Sequence, residues 1–212
     1  MSRRANPAGP VRRGRLVVLE GGEGTGKSTQ AALLAERLGA LLTREPGGTP
    51  VGESIRRLLL DPANAGLSAR AEALLVLADR AEHVSAVIEP ALQSGRDVVC
   101  DRFSGSTLAY QGWGRGLPVE ELRSLSAWAA AGCEPDLVVL LAAPAEVTGS
   151  RLAARGGADR MEGAGGAFFR RVDEGFAALA AADPLRWVVV DGDGPIEEVA
   201  LRVTAAVACR LG

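Results

Sequence analysis

The stretch Leu16-Val17-Val18-Leu19-Glu20-Gly21-Gly22-Glu23-Gly24-Thr25-Gly26-Lys27-Ser28 decides how the rest of the chain is read. Its second half fits the pattern G-x-x-x-x-G-K-[ST], and both flanks suit it. The apolar run Leu16 to Leu19 predicts a buried strand, and Thr29 to Leu38 has helical periodicity. Glycines let the backbone curl until successive N–H groups point inward at an anion, and a following helix adds its positive end. Lys27 is expected to reach the outer phosphates of a bound polyphosphate, and the Ser28 hydroxyl to ligate magnesium. A glycine-rich turn without a ligand is the plainer alternative. The ordered succession of strand, glycines, lysine, hydroxyl and helix argues against it.

Working outward, the 212 residues suit one domain with a sizeable core. A formal charge of -2 argues against general nucleic-acid binding, which is normally supported by a basic excess, so a small partner is expected. Residues 1 to 14 carry Arg3-Arg4 and Arg12-Arg13 among Pro and Gly without an apolar run. They read as a disordered tail rather than a secretory signal or a membrane span, with a basic anchor for nucleic acid as the livelier alternative. Cys100, Cys133 and Cys209 are odd in number and widely spaced, which fits the reduced thiols of a cytoplasmic protein and no zinc site. His83, the only histidine, lies in a helical pattern among charges and is expected to be solvated.

Ala40 to Thr43 reads as a second strand, stopped by Pro46 and two glycines. Pro50 to Leu60 reads as a helix with Ile55, Leu58 and Leu59 on one face and Arg56 and Arg57 beside it. A long helix is expected from Ala69 to about Gly95, bent near Pro90, with Leu74, Leu77, Ala81 and Val84 at helical spacing. Asp97 to Asp101 is a buried strand, and Asp101-Arg102 stands where it runs out, at the edge where open parallel sheets gather ligands. Ser104 to Gly116 predicts a short helix and then a loop, and Pro118 to Ala131 another helix. Strands at Leu137 to Leu141 and Trp187 to Asp191 alternate with helices from Pro144, from Phe168 to Ala180 and from Ile196 to Leu211. The alternation gives an α/β domain over residues 15–212, a five-stranded parallel sheet covered on both faces. The glycine-loosened stretch at about 151–166, with Arg151, Arg155 and Arg160, reads as a short lid or as an ordinary solvated loop.

Phosphoryl transfer needs two oxygens in line and neutralisation of the moving charge. Lys27 and the loop amides would hold the donor phosphates, Ser28 and Asp101 the metal, and lid arginines would close over the transferring group.

From Arg15 to the last helix the chain resembles the bacterial thymidylate kinases, P-loop enzymes of the nucleoside monophosphate kinase group with a three-layer α/β/α fold. The residues that carry the likeness are Glu-Gly-Gly-Glu-Gly-Thr-Gly-Lys-Ser from Glu20, Thr-Arg-Glu-Pro-Gly-Gly-Thr from Thr43, Ile-Arg before Leu-Leu-Leu-Asp, and Ala-Asp-Arg-Ala-Glu-His-Val from Ala78. Asp-Arg-Phe at Asp101, Ala-Tyr-Gln-Gly-Trp-Gly-Arg-Gly from Ala109, and Asp-Arg-Met-Glu at Asp159 followed by Phe-Phe-Arg-Arg-Val complete the set. The resemblance implies transfer of the γ-phosphate of ATP to dTMP, with Mg2+, in a cytoplasmic homodimer joined through the helix of residues 69–95, and no membrane or nucleic-acid partner.

It implies ATP contacts at Gly21, Gly22, Glu23, Gly24, Thr25, Gly26, Lys27, Ser28, Thr29, Arg151 and Arg155. It brings Glu23 to the deoxyribose 3′-hydroxyl, Arg56 and Arg102 to the dTMP phosphate, and Arg80 to a thymine carbonyl. Glu45, Pro46, Val76, Ser106, Thr107, Tyr110 and Gln111 complete the acceptor site, Tyr110 against the sugar. The loop has no arginine of its own, so the catalytic one is expected in the lid, with Arg155 favoured and Arg160 paired instead to Asp159 or Glu162. Two positions depart from the pattern. Val76 stands where a phenylalanine usually stacks on thymine, with Phe103 as a candidate substitute, and Asp173-Glu174-Gly175-Phe176 replaces a basic residue and a tyrosine. Neither departure is expected to touch the phosphate machinery. A kinase of another deoxynucleotide or of a nucleoside, and a non-enzymatic ATP-binding switch, are the rival readings.

Overall fold

A strand covered on both faces must be apolar at consecutive positions, and the run Leu16–Glu20 forms such a strand, β1, with every residue buried. A computed structural model describes residues 12–155 and 160–212, with the side chains of Arg155 and Glu162 outside the described set. β1 is flanked by β2 (Leu41–Arg44), β3 (Val98–Asp101), β4 (Leu137–Ala142) and β5 (Trp187–Asp191) in an all-parallel sheet of order β2-β3-β1-β4-β5. This is the expected five-stranded architecture. Pairing of Leu19 with Asp101 and of Glu20 with Leu140 brings the ends of the three central strands to one edge.

Alternation along the strands divides the core. Val17 and Leu19 pack with Leu34 of α1 (Lys27–Leu38) and with Val199, Val203 and Val207 of α9 (Ile196–Leu211) on one face. Leu16 and Val18 face Val84, Ile88 and Leu92 on the other. Those last three residues belong to one helical column: α3 (Ala69–His83), a π-helical stretch Val84–Ile88, and α4 (Glu89–Gln93). The remaining helices are α2 (Pro50–Leu60), α5 (Ser104–Thr107), α6 (Val119–Ala129), α7 (Ala145–Arg155) and α8 (Gly166–Ala182).

Three local expectations are corrected. Leu58 and Leu74 do not join a buried stripe but are 51% and 62% exposed. The inward face of α3 is instead carried by Glu72, Ala73, Leu77, Asp79, Arg80 and His83, because it borders a polar interior where charged side chains find partners. His83 is therefore fully buried, not solvated: its Nδ1 lies 3.0 Å from Glu45 Oε1 and its Nε2 2.5 Å from Thr43 Oγ1. The stretch after α5 stays helical, with π-type turns over Leu108–Gly114, where a loop was expected. Its glycines serve close packing rather than turning, since a Cβ at Gly114 would fall 2.5 Å from Phe168 Cε2. Of the expected tail, residues 12–14 are described: Gly14 N–H donates to Leu92 O at 2.8 Å and Arg13 lies 3.7 Å from Glu89. The rest of it lies outside the described residues.

Candidate active site

The loop between β1 and α1 is shaped by its backbone. Gly24 adopts a left-handed φ of 75°, and a Cβ there would fall 2.6 Å from Thr148 O. Thr25 Oγ1 donates to Gly22 O at 3.0 Å, and the buried Lys27 ammonium donates to the same carbonyl at 2.6 Å. Burial, with Arg102 nearby, pulls this ammonium down to about 8, against the opposing influence of Glu23, Asp101 and Glu20. The ammonium is desolvated here, and a bound phosphate would favour its charged form.

Beside it, Ser28 Oγ donates to Asp101 Oδ2 at 2.5 Å, while Asp101 Oδ1 is buried with no partner among the described residues. Arg102 follows at the end of β3 with a left-handed φ of 71°, unusual for a residue with a side chain. Its guanidinium donates to Gly21 O at 2.9 Å, Ser106 Oγ at 3.1 Å, Glu23 Oε1 at 2.5 Å and Tyr110 Oη at 3.0 Å. Tyr110 Oη donates in turn to Glu23 Oε1 at 2.9 Å. The turn is held by Glu20, whose buried carboxylate accepts from Phe103 N at 3.0 Å, Ser106 N at 2.9 Å and Ser106 Oγ at 2.5 Å.

One cavity of about 540 Å³ brings together Glu23, Lys27, Ser28, Glu45, Pro46, Arg56, Val76, Arg80, Asp101, Arg102, Ser106, Thr107, Tyr110 and Gln111, the expected substrate residues and the expected metal pair together. Its size suits a small organic ligand, for which about 300–1,000 Å³ is usual. Arg56 donates to Pro46 O at 3.0 Å, and burial together with Arg44 and Arg102 pulls its guanidinium below its ordinary value. Arg44, Arg56 and Arg102 all line this cavity, a concentration of guanidinium groups that can attract an anion. Arg80 is fully buried over the Phe103 ring at 4.9 Å. It donates from Nε to Glu45 Oε2 at 2.9 Å, from Nη2 to Thr107 Oγ1 at 3.0 Å and from Nη1 to Ser126 Oγ at 3.3 Å, while Nη2 also lies 2.8 Å from Glu45 Oε2 as an ion pair, so each Nη keeps one hydrogen outside these bonds. Glu45 thus positions Arg80, both its oxygens being occupied by Arg80 and His83.

The other expected residues lie around this cavity. Gly21, Gly22, Gly26 and Thr25 form the loop, and Thr29 is exposed on α1. Arg151 reaches back from α7 to carbonyls on either side, Gly24 O at 3.4 Å and Gly192 O at 3.2 Å. The side chain of Arg155 and all of Asp159 lie outside the described residues, as does the side chain of Glu162. Arg160 is no solvated lid cation: it is buried, donating from Nε to Leu59 O at 2.6 Å and from Nη2 to Glu72 Oε2 at 2.7 Å. Asp173 does approach the phosphate loop, contrary to expectation, because a Cβ at Gly22 would sit 2.8 Å from its Oδ1. Sequence reasoning passed over Arg44, Glu20 and Glu72. Arg44 pairs opposite Asp101 at the end of β2, so the strand-end rule that selected Asp101 also selects it.

The sequence profile of the thymidylate kinases matches residues 19–203. A thymidylate kinase of a Synechococcus species is 52% identical over 202 residues, covering 92% of this chain and 95% of its own. One from Pseudomonas fluorescens is 49% identical over 191 residues, covering 88% and 91%. The crystal structure of thymidylate kinase from Ehrlichia chaffeensis superposes with a TM-score of 0.77 at 31% identity, covering 92% of this chain and 99% of that one. With its phosphate loop, strand-end Asp-Arg pair and arginine-lined cavity, this chain belongs to the thymidylate kinase family.

Proposed function

We propose that the chain transfers the γ-phosphate of ATP to dTMP, giving dTDP and ADP. The observation that carries this reading is one cavity lined both by Lys27, Ser28 and Asp101 and by Arg56, Arg102, Arg80 and Gln111. An anion cradle and an acceptor pocket in one space allow in-line transfer without a covalent enzyme intermediate. Loop amides and Lys27 hold the donor, and Arg56 and Arg102 hold the acceptor phosphate through planar forks suited to it. Glu23 accepts from the 3′-hydroxyl, and Tyr110 packs against the sugar. Arg80 offers an Nη hydrogen not used in those bonds to a thymine carbonyl. From the lid, Arg155 and Arg151 act on the donor phosphates.

Mg2+ fits the residues present. Ser28 and Asp101 would hold it, and the buried, unpartnered Asp101 Oδ1 is a ready oxygen for it or for its waters. Among the described residues no three His, Cys, Asp or Glu side chains gather for a metal, in keeping with an ion that takes one or two carboxylates plus substrate phosphates. When bound, the ion would neutralise charge on the transferring phosphoryl group.

A homodimer is supported by apolar side chains left on the surface of neighbouring helices, Leu58 on α2, Leu74 on α3, and Leu125 and Trp128 on α6, Trp128 being 81% exposed. Three free cysteines fit a cytoplasmic setting, and among the described residues no helix is long and apolar enough to cross a membrane. The test is ADP release from ATP with dTMP, dUMP, dGMP and thymidine offered separately. Turnover with dTMP well above the others is expected. ATP binding with every monophosphate left untouched overturns the reading.

A further inference from the structure

Gln111 lines the cavity, and its Nε2 donates to the buried Glu72 Oε1 at 2.9 Å. A carboxylate only accepts hydrogen bonds, so the Gln111 amide nitrogen must face Glu72 and its carbonyl must face elsewhere. Among the described residues no donor reaches that carbonyl oxygen, yet it is not one of the buried atoms left without a partner, so it opens to the cavity. Glu72 is fixed from behind by Arg115, whose Nε and Nη2 donate at 3.2 and 3.0 Å, and by Arg160 Nη2 at 2.7 Å. Burial pushes this carboxyl up, but the bonds from Arg115, Gln111 and Arg160 outweigh it and leave it below its ordinary value. It therefore remains an acceptor throughout the neutral range.

We infer that Glu72, on the reading that this cavity takes dTMP, is the positioning residue for base choice. It pins the Gln111 amide nitrogen, which turns the Gln111 carbonyl toward the base. The pocket then accepts a pyrimidine whose N3 carries a hydrogen and rejects one whose N3 presents a lone pair. Nothing in α3 alone marks Glu72 for this role, since it never touches the base itself.

The probe pair is dTMP and 2′-deoxy-5-methylisocytidine 5′-monophosphate. The second keeps the 5-methyl group and the 4-carbonyl opposite Arg80 but makes N3 an acceptor. In the wild-type enzyme kcat/KM should favour dTMP by a factor on the order of 100 or more, because a site built around one hydrogen bond rejects an analogue that cannot make it. In Glu72→Gln the two Nη2 donors of Arg115 and Arg160 on Oε2 keep the side-chain oxygen there, so the new amide nitrogen takes the place of Oε1, facing Gln111 and giving up the 3.2 Å bond from Arg115 Nε. Gln111 must then turn its own nitrogen into the cavity. The preference for dTMP should fall by about tenfold or more, whereas a merely structural defect lowers both substrates together and leaves their ratio unchanged. A folded variant with the ratio within about twofold of wild type overturns the proposal.

Should Glu72→Gln show no cooperative thermal transition, wild-type protein decides by NMR. The Gln111 side-chain amide pair, identified by its loss in Gln111→Leu, should stay close to its free position when dTMP is added. A large shift of that pair shows the nitrogen meeting the base and overturns the proposal. Wild-type protein that leaves dTMP unphosphorylated instead overturns the functional reading, a separate outcome.

Discussion

The phosphate-type loop and the cavity beside it are built by different means. The loop is main chain: glycines at left-handed φ, backbone carbonyls and one lysine, all within residues 21–28. The cavity is side chain, gathered from β2, α2, α3, β3 and the helical stretch after α5, and carboxylates steady Arg80 and Gln111 while Arg56 is held by the Pro46 carbonyl. Glu20 fixes the turn that carries Ser106, Glu45 fixes Arg80, and Glu72 meets Gln111. Anion binding by peptide N–H groups needs only local geometry. Reading a base requires donors and acceptors in fixed orientations, and a buried carboxylate provides that orientation at the cost of its own desolvation.

The largest expected effect tests the loop. Lys27→Ala should lower kcat/KM for ATP by about 10³-fold, the scale of removing a principal transition-state donor. Its thermal midpoint should not fall, because the side chain removed is a desolvated cation. A variant with near wild-type turnover would show that the cradle works through its amides alone. Glu45→Ala tests the cavity. Leaving Arg80 and His83 without their shared carboxylate should cost about 3–5 kcal/mol in urea unfolding, with KM for dTMP rising and KM for ATP little changed. Equal losses for both nucleotides would erase the contrast between the two regions.

Acidity sharpens the contrast further. Burial pulls Lys27 down to about 8, so its cation is fully present only well below that pH and is lost as pH rises through it. A bound triphosphate favours the charged form. The profile of kcat/KM for ATP, which reports the free enzyme, should therefore bend downward above about pH 8, approaching tenfold per unit. A profile level through about pH 10 would sink that assignment. Smallest is Val76→Phe, which restores a ring to the cavity wall. Aromatic stacking on a base is worth roughly 1–3 kcal/mol in favourable cases, so KM for dTMP should fall several-fold. An unchanged KM would mean that the Phe103 ring, already beneath Arg80, shapes the wall sufficiently.

What the sequence disclosed follows the same division. Lys27, Ser28 and the glycines are neighbours along the chain, so spacing alone revealed them, and Asp101 and Arg102 followed from the end of a buried strand. Glu72 and His83 gave no such signal: each sits in an amphipathic-looking helix whose apolar spacing pointed to Leu74, now 62% exposed, as part of the buried face. Their partners lie far off in sequence, Arg115 and Arg160 for one and Thr43 and Glu45 for the other. A helical period cannot tell an apolar interior from a polar one. Asp173 shows the same limit from the other side, since only the packing of α8 brings it to Gly22.

Arg102 combines a left-handed backbone with a guanidinium that touches Glu23 and Tyr110. Such a conformation costs a residue with a side chain roughly 1–2 kcal/mol relative to glycine. The exchange that would relax the main chain there, Arg102→Gly, also deletes the guanidinium proposed to hold the acceptor phosphate. Consensus or stability-driven redesign of this protein therefore meets at position 102 a choice it cannot optimise in both directions, and a library selected on heat resistance alone would be expected to drift toward well-folded, silent enzymes.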